Sequence, residues 1–126
     1  MEKGGKSYQD IEERTFNFSV RVIKMVLQLP SNNVATWKIG GQVIDSATSI
    51  NSNIVQARAG LSRKDFINHM RISLKEAKET KRWLETIVAV GLAPRQRMEQ
   101  LINENEEIIC ILVSIIKNSL KENENL

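Results

Sequence analysis

Apolar residues recur along most of the chain at steps of three and four residues, the spacing that places them on one side of an α-helix. The first amphipathic stretch runs from about residue 8 to 29. Its apolar positions are Ile11, Phe16, Val20, Ile23 and Leu27, and Val22, Val26 and Leu29 widen the apolar side. Pro30 should end this helix, because proline pushes the residue before it out of the helical region. The pattern predicts a first helix with one buried side.

Two further amphipathic helices are predicted at 34–58 and 63–90. Residues 34–39 are either a short turn or the start of the second helix, since Gly40 and Gly41 weaken the pattern there. Gly60 is a candidate helix stop, and Ser62, with Asp65 three residues later, is a candidate N-cap. The second helix should bury Val43, Ile44, Ala47, Ile50 and Ile54. The third should bury Phe66, Met70, Leu74, Ala77, Leu84 and Val88.

A fourth helix is predicted at 94–121, with Pro94 in its first turn. Residues 108–116 of this stretch are apolar nearly all round, which is typical of a helix covered on more than one side. A strand is the competing interpretation, because isoleucine and valine favour strands. The helix is preferred, since no second strand is available for pairing. The expected fold is all-α: one domain over residues 1–126, built as an up-and-down four-helix bundle.

Composition fits this expectation and says little about chemistry. The 126 residues include one cysteine, two prolines and six glycines, so an internal disulfide is excluded and turns are few. No apolar run approaches the roughly 18 residues of a membrane span. The first ten residues are polar and lack the apolar segment of a secretory signal, so a cytoplasmic location is expected.

The basic residues are concentrated in one part of the chain. Residues 58–83 hold eight basic and three acidic side chains, a net charge of +5, whereas residues 84–126 hold four and seven, a net charge of −3. Helical spacing aligns several of these cations on one side of the third helix. The predicted nucleic-acid-binding residues are Arg63, Lys64, Arg71, Lys75, Lys78 and Arg82. The alternative is an ordinary solvated face, in which Glu76 and Glu79 pair with nearby cations.

Some apolar residues fall outside the predicted buried sides. Ile72 and Trp83 lie well away from the core side of the third helix, and the fourth helix has more apolar surface than one bundle can cover. Together these features predict self-association. The predicted oligomer-interface residues are Ile72, Trp83, Ile111 and Val113.

Catalytic and metal-binding patterns are missing from the sequence. There is no glycine-rich phosphate loop and no His-Glu-x-x-His pattern. His69 has Phe66 three residues earlier, where a di-metal bundle needs glutamate. Cys110 is expected to be a small buried hydrophobe. Gln42 and Asn53 are expected to form hydrogen bonds across the bundle or to cap a neighbouring loop, with a binding site as the alternative. We therefore expect no enzymatic activity, no cofactor and no metal.

The second and third helices resemble the four-helix-bundle family of proteins encoded in 23S ribosomal RNA intervening sequences. The accessory proteins of diversity-generating retroelements are relatives of that family. The matching residues are Gln42, Ser49-Ile50, Asn53-Ile54, Ser62, Asp65-Phe66, Glu79 and Leu84, with Tyr8 to Ile11 and Pro30 in the first helix. The chain departs from the family pattern at Gln56 and Lys81, where carboxylates are common.

This resemblance implies a bundle that assembles into a ring-like homo-oligomer, typically a pentamer. It also implies association with structured RNA or DNA and, in the retroelement relatives, partnership with a reverse transcriptase. The leading hypothesis is a non-enzymatic nucleic-acid-binding oligomer. The competing hypothesis is a protein-interaction scaffold that binds no nucleic acid.

Overall fold

Four helices make up the fold in a computed structural model, which describes the backbone of residues 3–124 and the side chains of residues 11–122. They are α1 (Lys3–Leu27), α2 (Val34–Ala59), α3 (Arg63–Ala89) and α4 (Arg95–Glu124). The described residues contain no strand. The all-α, four-helix prediction is therefore confirmed, and the strand alternative for residues 108–116 is wrong.

Helix ends differ from the predicted ones mainly in α1. This helix begins at Lys3 rather than near residue 8 and ends at Leu27 rather than at 29. The backbone amides of Gln28 and Leu29 donate to the carbonyls of Met25 and Val26, both at 3.0 Å, so the chain tightens before Pro30. Residues 34–39 form the first turns of α2. The side chains of Tyr8, Gln9 and Asp10, which carry part of the family resemblance, lie outside the described residues.

Each helix packs against its neighbours in sequence, and α4 closes the bundle against α1. The connections at 28–33, 60–62 and 90–94 are short, so consecutive helices run antiparallel. The most extensive contact joins α2 and α3. Helices α1 and α3 therefore lie diagonally across the bundle, as do α2 and α4.

The buried side of α1 is only part of the one that the sequence pattern indicated. Phe18 and Val22 belong to the core, together with Ile11 and Leu29. Phe16 and Leu27, which were expected to be buried, are instead 56% and 78% exposed. The prediction was right for Ile11, Val22 and Leu29 and wrong for Phe16 and Leu27. The helix carries two apolar rows, and only one of them faces the other helices.

Polar groups share the contact between α2 and α3. The Ser73 hydroxyl donates to the Ile50 carbonyl, and the Thr80 hydroxyl donates to the Ser46 hydroxyl, both at 2.8 Å. Met70, Ala77 and Leu84 are buried on the same side of α3, as predicted. Small hydroxyl residues let the two helix backbones approach closely while their polar atoms stay satisfied.

The apolar run of α4 is covered less completely than predicted. Ile108, Leu112, Ile115 and Ile116 are buried. Cys110 is exposed, so its prediction as a buried hydrophobe was wrong. Because successive residues of a helix are separated by about 100° of rotation, an apolar run of this length must turn part of its surface outward.

Caps fix the helix ends. The Ser62 hydroxyl accepts from the Asp65 amide at 3.1 Å, which confirms the predicted N-cap of α3. Asn33 caps α2 in the same way, accepting from the Thr36 amide at 2.8 Å. After α3, Gly91 adopts a positive φ of 81°, and the Leu92 amide reaches back to the Ile87 carbonyl at 3.0 Å. This is a Schellman ending, which suits glycine.

Two glycine substitutions should have opposite effects on stability. Gly91→Ala is expected to lower the free energy of unfolding by about 1 kcal/mol, because alanine is strained at positive φ. Gly41→Ala is expected to raise it by about 1 kcal/mol, because Gly41 lies inside α2, where an added Cβ meets nothing within 4 Å. Urea denaturation at one fixed protein concentration measures both. Equal effects of the two substitutions would contradict the assigned backbone conformations.

Candidate nucleic-acid interface

Five cations form a continuous line along the outer side of α3, which we call the basic stripe. All five are exposed, and four of them follow one another at steps of four, three and four residues. The stripe comprises Lys64, Arg71, Lys75, Lys78 and Arg82. From Lys64 to Arg82 it is about 27 Å long at the rise of an α-helix. The sequence pattern therefore predicted both the alignment and the exposure of these side chains.

No carboxylate of the described residues neutralises the positive charge of the basic stripe. No side chain of the stripe forms an ion pair within residues 11–122. The alternative pairing with Glu76 and Glu79 is not observed there either, although both carboxylates lie on the same helix. Arg63, the sixth predicted residue, differs because it binds Glu122 of α4 at 2.8 Å. Part of its charge is thus already satisfied within the bundle.

Several other cations hold the helices together. Arg14 of α1 contacts Glu104 and Glu107 of α4 at 2.7 and 2.8 Å, and these hydrogen bonds raise the pKa of Arg14. Arg95 binds Glu85 at 2.6 Å, which lowers the pKa of that carboxyl. Lys81, one residue before Arg82, pairs with Glu106, whose hydrogen bond raises the pKa of Lys81. These cations support the bundle, whereas the stripe remains available for an external anion.

A shallow groove of about 440 Å³ runs along the stripe. Its walls are formed by residues of α3 alone: Arg71, Leu74, Lys75, Lys78, Glu79 and Arg82. The groove is lined by flexible cationic side chains, and no aromatic ring contributes to it. Such a surface suits phosphate groups better than bases, which bind by stacking on aromatic rings.

The predicted oligomer-interface residues are covered to different extents. Ile72 is 42% exposed. Trp83 and Ile111 are half-buried and pack against the core of their own chain. They were assigned to the interface because they were expected to be uncovered in a single bundle, and this expectation was wrong. Val113 is half-buried. The assignment of these residues to an interface between subunits stays a prediction.

A larger apolar surface lies between α1 and α2, and the sequence pattern did not identify it. We call it the α1–α2 face. It consists of Phe16, Val20, Ile23 and Leu27 of α1 and Trp37, Gly41 and Ile44 of α2. In both helices the residues follow steps of four and three, so each set forms one row. Leu27 meets Trp37, Gly41 and Ile44 around a groove of about 300 Å³.

Trp37 is the most prominent residue of the α1–α2 face. It is 76% exposed, yet its indole Nε1–H donates to the Ser31 carbonyl at 3.2 Å, which orients the ring. Gly41 leaves open space beside it. The sequence does contain a sign of the α1–α2 face, the apolar row Phe16, Val20, Ile23 and Leu27. The sequence pattern, however, was interpreted as placing this row on the core side of α1.

Residues that carry the family resemblance lie along the contact between α2 and α3. The Asn53 amide oxygen lies 3.3 Å from His69 Nδ1 of α3, and the Asn53 amide nitrogen donates to the Ser49 carbonyl at 2.9 Å. This confirms that Asn53 bonds across the bundle. Gln42 is exposed, and no hydrogen bond of its side chain is observed within the described residues, so the same prediction for Gln42 was wrong. Glu79 is half-buried beside the groove of the stripe.

Metal-ligand clusters and membrane-spanning helices are both missing from the described residues. No group of three or more histidine, cysteine, aspartate and glutamate side chains among them is arranged to hold a metal ion. None of the helices formed by these residues is long and apolar enough to cross a membrane.

Comparison with known proteins places the bundle in a family. The family model of the 23S rRNA-intervening sequence protein matches residues 8–114. A crystal structure from Bacteroides thetaiotaomicron, described as a protein of unknown function from the S23 ribosomal protein family, superposes with a TM-score of 0.80 at 34% identity. The alignment covers 88% of this chain and 98% of that one. A search of curated proteins found no match.

The protein thus belongs to the class of all-helical, four-helix proteins, and it shares this fold with the S23 structure. The chain belongs to the 23S rRNA-intervening sequence protein family. The resemblance identified from Gln42 to Leu84 is thereby confirmed.

Proposed function

We propose that this protein is a non-enzymatic, self-associating bundle that binds structured RNA or DNA through the basic stripe. The observation that carries the proposal is the line of five exposed cations on α3 without a carboxylate partner among the described residues. The bundle uses other cations to join its helices, as Arg14 and Arg95 do. Cations left unpaired in a row favour an external polyanion.

Phosphate groups are the proposed target of the stripe. Arginine and lysine neutralise phosphates and release condensed counterions, which supplies most of non-specific nucleic-acid affinity. The groove contains no aromatic ring on which an unpaired base could stack. A row about 27 Å long instead spans several successive phosphate groups of a duplex. The expected binding is therefore to the backbone, with little dependence on sequence.

Self-association multiplies this surface. A single stripe makes few phosphate contacts, but several stripes on one assembly act together on one nucleic acid, so that later contacts become intramolecular. The resemblance implies a ring of five subunits, and we adopt that ring in the proposal. The same resemblance implies partnership with a reverse transcriptase, and we propose that partnership as well. A gene neighbourhood without a reverse transcriptase, or failure of a neighbouring reverse transcriptase to co-purify after co-expression, would reject that part.

Salt dependence is the direct test of the phosphate-binding function. If about four cations of one subunit contact phosphates, the logarithm of the association constant for a duplex should fall with the logarithm of salt concentration at a slope of about −4 or steeper, because each further subunit on the duplex adds contacts. Fluorescence anisotropy of a labelled 20-base-pair RNA duplex, measured between 50 and 200 mM salt, gives this slope. Binding that does not change with salt, or no binding at 50 mM, would reject the proposal.

A protein-interaction scaffold is the second candidate, favoured by the α1–α2 face. The two functions differ in what the purified protein carries. The nucleic-acid-binding function predicts a raised ratio of absorbance at 260 to 280 nm before a high-salt wash, whereas a scaffold gives the ratio of pure protein.

A further inference from the structure

A cationic pocket lies between α1 and α4, and no residue of the basic stripe lines it. The contact between these two helices is the least extensive of the four between neighbouring helices. Toward the end of α1 and the start of α4, the two helices leave a cavity of about 250 Å³, which we call the α1–α4 pocket. Residues that line it include Arg21, Lys24 and Gln28 of α1 and Arg97, Gln100 and Leu101 of α4.

The ion pairs between α1 and α4 show which residues of the two helices face each other. Arg14 contacts Glu104 at 2.7 Å and Glu107 at 2.8 Å. Because the two helices run antiparallel and seven residues make about two helical turns, the position seven residues after Arg14 faces the position seven residues before Glu104. Those positions hold Arg21 and Arg97, and both line the α1–α4 pocket. An attractive pair is thus followed, along the same contact, by two like charges.

No carboxylate among the described side chains offsets the positive charge of the α1–α4 pocket. Arg21, Lys24 and Arg97 are exposed, and none of them forms an ion pair within residues 11–122. Glu104, the nearest carboxylate on this side of α4, is already bound to α1 in the ion pair described above. Glu99 lies two residues after Arg97, which is about 200° around the helix, and so it belongs to the other side of α4.

The position of Arg97 within α4 is unfavourable for a second reason. Arg97 lies in the first turn of α4, where the helix dipole places a partial positive charge that favours acidic side chains, and this turn contains none. Arg95, in the same turn, is compensated by Glu85 at 2.6 Å. Lys24 complements the opposite dipole end, in the last turn of α1. Arg97 alone therefore meets both the dipole and the facing arginine, and an anion bound beside it would offset both.

We propose that the α1–α4 pocket is a binding site for a small phosphorylated compound, separate from the nucleic-acid interface. Arg21 and Arg97 reach the phosphate from opposite helices, and a guanidinium group forms paired N–H···O bonds with phosphate oxygens. Lys24 adds a third positive charge, and the side-chain amides of Gln28 and Gln100 add neutral donors. Charge-assisted hydrogen bonds to one anion then replace the repulsion between the two helices.

The size of the α1–α4 pocket favours a compact ligand. Pockets for drug-sized ligands measure roughly 300–1,000 Å³, whereas this one measures about 250 Å³. Leu101 is buried and supplies an apolar part of the wall, so the charged groups of the pocket lie toward its opening. A phosphate or diphosphate group fits such a space. A duplex presents its phosphates on a convex surface, which suits the open basic stripe better.

Pyrophosphate is the probe for this site. Isothermal titration calorimetry of the full-length protein at constant ionic strength should show saturable binding of one pyrophosphate per chain. Arg21→Gln and Arg97→Gln should each weaken this binding about tenfold or more, because each removes a charged partner of the phosphate. Lys117→Gln is the matched control and should leave the affinity unchanged. Lys117 is exposed, has no ion pair among the described residues, and lies about 30 Å along α4 from Arg97.

Arg97→Glu provides a test that a loss of folding cannot imitate. The substitution gives Arg21 a facing carboxylate, as Arg14 has in Glu104, so the thermal unfolding midpoint without pyrophosphate should rise by a few degrees. Pyrophosphate should raise the midpoint of the wild type, because a ligand of the native state stabilises it, and should no longer raise that of Arg97→Glu. Sodium chloride at the same ionic strength is the reference, since screening alone also weakens repulsion.

The outcomes separate this site from the basic stripe. Binding that both glutamine variants weaken, and that an excess of duplex RNA leaves unchanged, supports the inference. Pyrophosphate that the duplex displaces, or that no longer binds when Arg71, Lys75, Lys78 and Arg82 are reversed, belongs to the stripe and overturns it. The absence of saturable binding, an equal loss in the Lys117 control, or a lower midpoint of Arg97→Glu without pyrophosphate overturns it as well. None of these results depends on whether the stripe binds nucleic acid.

Discussion

Replacing Arg71, Lys75, Lys78 and Arg82 by glutamate is expected to abolish binding to duplex RNA or DNA. The four substitutions remove the cations of the groove and place carboxylates against the phosphates. A loss of four phosphate contacts alone corresponds to roughly a hundredfold or more in affinity at moderate salt, and repulsion adds to it. The affinity for a labelled duplex at 50 mM salt, measured by anisotropy, should fall beyond detection.

A control variant has the same total charge as this variant, but its four charge reversals lie on other helices of the bundle. Arg21, Arg97, Lys117 and Lys121 are exposed cations without an ion pair in the described part of the chain. Their replacement by glutamate should lower the affinity far less, because they lie on α1 and α4. Equal losses in the two variants would mean that net charge, and not the stripe, determines binding.

Leu84→Ala should cause the largest loss of stability from a single substitution proposed for this chain. Leu84 is fully buried, at 0% exposure, in the core of the bundle. Truncation of a buried leucine removes its burial energy and leaves a cavity, which together cost about 3 kcal/mol. Urea denaturation at one protein concentration should show a correspondingly lower free energy of unfolding.

Leu61→Ala makes the same chemical change at a residue that is 98% exposed, between α2 and α3. It should change the free energy of unfolding by less than about 0.5 kcal/mol. A loss of several kcal/mol at Leu61, or none at Leu84, would show that the core is not where the structure places it.

Helical periodicity was sufficient to predict the four helices but not the orientation of α1. Phe16, Val20, Ile23 and Leu27 form one row with steps of four, three and four. A second row with the same steps, offset by two residues, comprises Phe18, Val22, Met25 and Leu29. Both rows are apolar, so the sequence pattern alone could not determine which one meets the other helices. Packing decides it, and the row left outside becomes part of the α1–α2 face.

Local spacing predicted the exposure of the basic stripe but not the ion pairs around it. Lys81 and Arg63 belong to the same basic segment as the stripe, yet they bind Glu106 and Glu122 of α4. Those partners are far away in sequence and are brought close only by the packing of α3 on α4. Glu76 and Glu79, in contrast, are near the cations along the helix and remain unpaired in the described part. Pairing across helices depends on tertiary geometry that a single-helix pattern does not contain.

If copies of this bundle associate as proposed, they present several basic stripes to one nucleic acid. Native mass spectrometry of the wild-type protein at micromolar concentration, with a short RNA duplex at low salt, measures both properties at once. We expect assemblies of several subunits that carry the duplex and release it when salt is raised. Protein that stays monomeric, or assemblies that remain free of RNA at low salt, would overturn the proposal.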